Sequence, residues 1–430
     1  MKSLIKNVRV IDPALSLDEV ADILIDGQTI AQVGKNIECA DAEIFDRDGC
    51  IAVPGLVDIH VHLRDPGQEY KETIETGTAA AAHGGFTGIC SMPNTNPTTD
   101  NATTIDYVLD KAAQAGHCRV YPSGACTKGL KGESLSEMGD MVLYGAVAFT
   151  DDGRGVQNSG VMRRVMDYAK MFNKVVMSHC QDEDLVGPGQ VNEGVVSTRL
   201  GLAGWPATGE ELQIQRDIAL SELTGCPIHI QHITSARAVE LVREGKARGI
   251  QVTCEVTPHH LVLNEDDITT TYNTNLKMNP PLRSKADNAA LIEGIKDGTI
   301  DCIVTDHAPH ADHEKAREFE LAPFGMTGLE TSLGVILTYL VDPGLITYNE
   351  LVELMAIKPR EILRLDQVTL KQGSVADITI FDPEVTWTVQ SDDMYSKSHN
   401  SGFLGYTLKG RATDVFVGGT VTCKDGVVVE

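Results

Sequence analysis

Positive charge is what this sequence has least of: 36 Lys and Arg stand against 61 Asp and Glu, a formal net charge of −25. Nucleic acids and anionic membranes are bound through an excess of Lys and Arg, so neither is expected as a partner. No apolar run approaches the roughly 20 residues of a membrane-spanning helix. The opening MKSLIKNVRVID holds no apolar h-region and no small-residue cleavage site, and a cytoplasmic protein is expected. The ten cysteines include no C-x-x-C pair, and several, such as Cys90 in GFTGICSM and Cys302 in IDCIVTD, sit in apolar runs. Small buried hydrophobes in a reducing compartment look like this. No G-x-G-x-x-G opens a helix, which removes the main support for dinucleotide binding.

What is present is globular, with 42% hydrophobic and 23% charged residues in a chain of 430. The two ends share a style. ADILIDGQTIAQVG alternates apolar and polar residues around an Asp26-Gly27 turn, and TDVFVGGTVTCKDGVVVE does so around Gly418-Gly419 and Asp425-Gly426. Neither end has strands enough to bury a face alone. One discontinuous β-sandwich domain, 1–53 with 366–430, is expected around a central domain of 54–365.

In that centre, eight β-rich runs alternate with helical stretches: PGLVDIHVHL, GFTGICSM, CRVYPSGAC, GAVAFTDD, KVVMSHC, PIHIQHI, QVTCEVTPHH and IDCIVTDHAP. Thr208-Gly209-Glu210-Glu211 reads as a capping box opening a helix that ends before Gly225, and Ser235 as the cap of ARAVELVREGKARG. Nearly continuous apolar strands between helices imply a parallel sheet covered on its faces, and eight units fit a (β/α)8 barrel.

The chemistry-bearing residues recur at one place, the C-terminal end of a strand. His60 and His62 end the first, Asp151 and Asp152 the fourth, His179 the fifth, His232 the sixth and Asp306 the eighth. A barrel brings those ends together. Residues i and i+2 of a strand share a face, so His60 and His62 can address one metal, while only one of Asp151 and Asp152 can point into the mouth. Four imidazoles with carboxylates form an N/O ligand set that suits zinc, with manganese or cobalt as substitutes. Six ligands are more than one catalytic zinc uses, which favours a two-metal site. Arg64, just past the His pair, suits an anionic substrate group.

These stretches, DIHVHLRDPG (Asp58 to Gly67), MPNTNP (Met92 to Pro97), KMNPPLR (Lys277 to Arg283) and TDHAPHADHEK (Thr305 to Lys315), resemble those of the bacterial dihydroorotases of the amidohydrolase superfamily. The resemblance runs almost from end to end. It implies reversible cyclisation of N-carbamoyl-L-aspartate to L-dihydroorotate, the third step of pyrimidine biosynthesis. It implies two zinc ions, His60, His62 and Asp306 on the more buried one and His179 and His232 on the more exposed, bridged by a hydroxide and an acidic residue. Many relatives bridge with a carboxylated lysine, but GAVAFTDDG contains no lysine; relatives sharing FTDDG imply Asp152, with Asp151 the competing choice. Asp306 would be the general base that becomes the general acid. His62, Arg64, Asn94, Asn279 and His310 would bind substrate, as would Phe324 and Gly325 in a partly lid-like loop after the eighth strand. His259, His260, His307 and His313 are expected to be structural. A homodimer, or association with another pyrimidine-pathway enzyme, is compatible with the resemblance. Two rival readings are a hydantoinase- or allantoinase-type cyclic amidohydrolase and a catalytically silent structural partner.

Overall fold

The computed structural model describes residues 2–429. Its centre is a ring of eight short parallel strands, one from each expected run. Leu56–Val61, Phe86–Ser91 and Arg119–Pro122 pair in succession, as do Ala148–Phe149, Val175–Ser178, Ile228–Ile230, Val252–Val256 and Cys302–Ile303. Two single parallel bridges, Gly124 to Phe149 and Val61 to His307, close the ring. Every residue of the first two strands is buried, as expected where helices cover the outside and side chains fill the inside.

The helices follow from their caps and apolar stripes. In Ser159–Met171, Val161, Met162, Val165, Met166 and Ala169 form one buried face, and Asn158 caps the start by accepting from the Gly160 and Val161 amides. Ser235 accepts from the Ala238 amide at the start of Ala236–Ala247, as expected. The capping box at Thr208 is not formed. The helix Thr208–Thr224 starts one residue earlier than that box requires, with Ala207 at the cap and no side-chain cap bond. Glu210 instead accepts from the Thr234 amide and hydroxyl, and Glu211 from the Ser235 hydroxyl. Tertiary partners took the carboxylates that a local cap would have used. The helix does end at Gly225, left-handed at φ 66°.

The two chain ends meet in one nine-stranded sheet. Strands Lys2–Asp12, Leu17–Asp26, Thr29–Gly34, Ala42–Asp46 and Ile51–Pro54 come from one end. Ile378–Thr388, Thr407–Val417, Thr420–Lys424 and Val427–Val428 come from the other. The antiparallel pairing of Ile51–Pro54 with Ile378–Phe381 is the seam. Hairpins turn at Gly27-Gln28, Gly418-Gly419 and Asp425-Gly426. The sheet folds over its own core of Ile5, Val10, Ile23, Ile378 and Phe416. Phe45 and Phe416, on strands that do not pair, meet there at 5.2 Å between ring centroids.

Between Thr388 and Thr407 the chain leaves this sheet and crosses to the barrel mouth. Ser396 donates to Glu72, and Asn400 reaches the loop after the eighth strand.

Candidate active site

A cavity of about 320 Å³ opens at the C-terminal end of the barrel. It is lined by His62, Arg64, Asn94, Asp152, His179, His232, Asn279, Asp306, His310, Phe324 and Gly325. His60 lies fully buried just beneath. All the expected site residues therefore converge on one place. Of the paired aspartates, Asp152 faces the cavity, whereas Asp151 turns away to accept from the Thr127 amide and hydroxyl. Burial raises the Asp151 carboxyl to about 6.

Asp152 is the hub. Its Oδ1 lies 3.2 Å from His60 Nε2, 3.4 Å from His179 Nδ1 and 4.0 Å from His232 Nε2, and its Oδ2 lies 3.5 Å from His62 Nε2. Asp306 Oδ1 sits 3.0 Å from His62 Nε2 and 3.5 Å from His60 Nε2. Burial opposes ionisation of both carboxyls, yet the neighbouring histidines hold each below the usual carboxylate range. His232 is pushed by burial down to about 3 and is a neutral imidazole.

Three of the four histidines have their outward nitrogen committed. His60 Nδ1 donates to Glu255 Oε1 (2.5 Å), His62 Nδ1 to Asn94 Oδ1 (2.9 Å) and His179 Nε2 to Gln181 Oε1 (3.0 Å). As a neutral imidazole each presents its inward lone pair to Asp152; burial opposes a proton there, yet the neighbouring carboxylates raise both His60 and His179 above the usual imidazole value. Among the described residues, buried His60 Nε2 and Asp152 Oδ1 have no hydrogen-bond partner. Ligand atoms of His60, His62 and Asp152, of Asp152, His179 and His232, and of His60, His232 and Asp306 lie within 4.8 Å of one another. Lone pairs and carboxylates converging in a buried pocket, with donors missing, are the pattern a divalent cation satisfies.

Three cavity residues hold a left-handed backbone: Arg64 at φ 61°, His232 at 30° and Asp306 at 46°. Non-glycine residues in that region cost of order 1–3 kcal/mol each, and such strain gathers where a side chain must be aimed. Arg64 is buried and makes no ion pair among the described residues; its Nε donates to Pro309 O at 3.2 Å. Its charge is therefore unspent. His310, its pKa lowered by burial and by Arg64, is neutral and donates from Nε2 to Phe324 O at 2.8 Å.

The resulting site is a buried cation-seeking cluster on strand ends with one free guanidinium beside it. Known proteins resemble this chain. The family described as dihydro-orotase-like matches residues 49–238. A dihydroorotase of Syntrophotalea carbinolica is 50% identical over 422 residues, 98% of this chain and 99% of that protein. One of Acetivibrio thermocellus is 48% identical over 426 residues, 99% of this chain and 100% of that protein. The chain belongs to the dihydroorotase family. Among solved structures, an L-hydantoinase (dihydropyrimidinase) from Arthrobacter aurescens is 26% identical, with a TM-score of 0.89 over 100% of this chain and 98% of that one. The (β/α)8 fold is thus shared with that hydantoinase. Among the described residues, no helix is long and apolar enough to cross a membrane.

In this dihydroorotase-family site several supporting residues escaped sequence reasoning. Glu255 accepts from His60 Nδ1 and from His229 Nε2 (2.9 Å) and the His232 amide (3.2 Å). An acid inside the apolar strand TCEVT was its one sequence signal. Lys277 is buried and donates to the Phe319, Glu320 and Ala322 carbonyls at 2.7, 3.0 and 2.7 Å, with its ammonium 4.5 Å from the Phe324 ring centroid. Burial lowers it to about 8. Lys315 staples the same loop through Thr274 O and Pro323 O, both at 2.9 Å. Asn400 fastens it from outside the barrel, donating to the Ala308 and Gly325 carbonyls, both at 3.1 Å. Gly325 itself must be glycine: φ is +115°, and a Cβ would stand 2.6 Å from that of Ala308. His260 donates to Pro280 O at 2.9 Å, beside Asn279, and His307 pairs with Glu72 at 3.3 Å. None of His259, His260, His307 and His313 lines the cavity.

Proposed function

We propose that this chain is the dihydroorotase of pyrimidine biosynthesis, interconverting N-carbamoyl-L-aspartate and L-dihydroorotate. The family membership supports the reaction. The observation that carries the residue roles is Asp152, ringed by four inward-facing histidine nitrogens within 4.0 Å.

His60, His62 and Asp306 would hold one ion and His179 and His232 another, with Asp152 between them. Zinc fits the N/O donor set, and two ions fit the overlapping ligand groups. Such ions lower the pKa of the attacking water toward neutrality and polarise the scissile carbonyl. The protein does the rest. Hydrolysis places OH on the carbonyl carbon, breaks the ring C–N bond and puts a proton on the departing nitrogen. Asp306, ionised and aimed at the cavity, takes the proton of the attacking water and returns it to that nitrogen. The reverse sequence expels water and closes the ring.

Arg64, with no carboxylate of its own, pairs with the substrate carboxylate, where a guanidinium can bond bidentately. Asn94 and Asn279 orient the substrate. Asn94 donates to Asp152 at 3.2 Å and Asn279 to Gln181 at 3.0 Å, so each is already fixed. His310, Phe324 and Gly325 close the substrate side and limit access of bulk water. Ten free cysteines, nine of them buried, agree with a reducing cytoplasm.

The test is ring opening of dihydroorotate, hydantoin and allantoin by metal-replete protein. Turnover of dihydroorotate is expected; turnover of hydantoin or allantoin without it would replace this reading by that of the fold neighbours. Metal analysis of Asp152→Ala and Asp151→Ala should show loss of metal in the first alone. Full occupancy in Asp152→Ala would end its assignment as the bridge.

A further inference from the structure

Three arginines of this chain are buried: Arg64, Arg283 and Arg360. Arg283 is fully provided for. It bonds Thr234 Oγ1 (3.0 Å), Asn192 Oδ1 (2.8 Å) and Trp205 O (2.9 Å), faces Glu210 at 3.4 Å and lies over the Trp205 ring. Arg360 is not. Among the described residues its hydrogen bonds run from Nη2 to Gly55 O and Thr87 Oγ1, both at 3.4 Å, and its buried Nε finds no partner. The nearest carboxylate, Asp377, is 4.0 Å away and already engaged. It accepts from Arg119 through two bonds of 2.9 and 3.0 Å and from the Gly418 amide at 2.6 Å.

A buried guanidinium with at most a distant, shared counter-ion is costly, and the other buried arginine without a close carboxylate, Arg64, stands in the active cavity. Arg360 also borders a cavity. It measures about 460 Å³ and lies where the barrel meets the terminal sheet, walled by Arg119, Tyr121, Arg360, Arg364, Leu365 and Val368. Asp366 and Asp377 border it too. Arg364 is exposed and sends Nη1 to Asn173 O at 2.7 Å, so it makes no ion pair among the described residues. It occupies the left-handed cap position after helix Lys358–Leu363, at φ 57°, where glycine is the least strained choice.

Three arginines, Arg119, Arg360 and Arg364, stand against Asp366 and Asp377 at this chamber, and with Arg119 engaged by Asp377 the guanidiniums of Arg360 and Arg364 keep N–H donors to spare. Two guanidinium forks beside one chamber can share the several oxygens of a phosphate monoester, which offers more acceptors than a carboxylate. We propose that this cavity is a second ligand site, separate from the active cavity, for a small phosphorylated molecule. Arg360 and Arg364 take the phosphate, and Tyr121, Leu365 and Val368 take the body.

Calorimetry of the metal-replete protein with ribose 5-phosphate, ribose and acetate tests this. Ribose 5-phosphate is expected to bind one per chain, and ribose and acetate not to bind. Arg364→Gln, a surface substitution, should weaken binding about tenfold, as expected for one lost charge-assisted contact, and leave dihydroorotate turnover unchanged. Arg237→Gln, exposed elsewhere, should bind as the parent does. A crystal soaked in tungstate should show the anion beside Arg360. No binding of ribose 5-phosphate would overturn the proposal, as would undiminished binding by Arg364→Gln, binding competitive with dihydroorotate, or tungstate at the active cavity alone.

Discussion

Ile23, Ile25, Ile378 and Ile380 in the terminal sheet are fully shielded from solvent, and so, at the barrel mouth, is His60, with His179 and His232 nearly so. Burial of the first group removes apolar surface from water and stabilises the fold, at roughly 1.5–3 kcal/mol per side chain. Burial of the second strips imidazoles and carboxylates of water and leaves His60 Nε2 and Asp152 Oδ1 without partners. The mouth also bends Arg64, His232 and Asp306 into left-handed backbone. Equal burial thus has opposite sign in the two regions. The sheet and barrel core stabilise the molecule; the mouth draws on that stability to hold a site that only a ligand completes.

The sharpest way to break this contrast is Asp306→Asn, which preserves shape and removes the proton acceptor. A fall in kcat for ring opening of about 10²–10⁴ is expected, with an unchanged circular dichroism spectrum. A parent-like kcat would remove Asp306 from proton transfer. At the other pole, Ile378→Ala should cost about 2–5 kcal/mol of stability, read as a lower Tm. Its metal content and kcat at 25 °C should be those of the parent, and loss of either would show that the sheet shapes the site.

Between those poles lie residues that touch neither substrate nor solvent. Glu255→Gln removes the charge that orients His60, and metal affinity should fall about 10–100-fold, measured by competition with a chromophoric chelator. Unchanged affinity would assign Glu255 to packing alone. The smallest effect is expected of Lys277→Met, which keeps the bulk and loses three carbonyl bonds. The Phe324 loop should loosen and raise KM for dihydroorotate by roughly 3–10-fold, in proportion to one or two net hydrogen bonds, with kcat nearly unchanged. Loss of kcat instead would place Lys277 in the chemistry.

The acidic balance of the chain still argues against polyanion partners, yet the substrate is itself an anion. Local charge resolves this. Arg64 is free, and the cations that the histidine and aspartate cluster calls for would invert the field of the cavity relative to the outer surface.

Much was legible in advance because its cause is local. Apolar runs of parallel strands, Gly turns in the terminal hairpins, and the two-residue spacing of His60 and His62 each depend on neighbours in the chain. Where a distant group competed, local reading failed. Glu210 and Glu211 left the Thr208 cap for Thr234 and Ser235. Asn400, far along the chain from the eighth strand, carries no pattern that ties it to Gly325.

By itself the sequence determined the eight strand-and-helix units and the common place of the histidines and aspartates at strand ends. Side-chain alternation and apolar periodicity encode these directly. Only the tertiary structure decided that Asp152 and not Asp151 faces the histidines, and that Glu255, Gln181 and Asn94 set their tautomers. It also decided that Arg64 and Arg360, unlike Arg283, have no carboxylate within 3.5 Å among the described residues. Each of those outcomes depends on which remote donor or acceptor a buried group meets, and that is settled when the barrel closes.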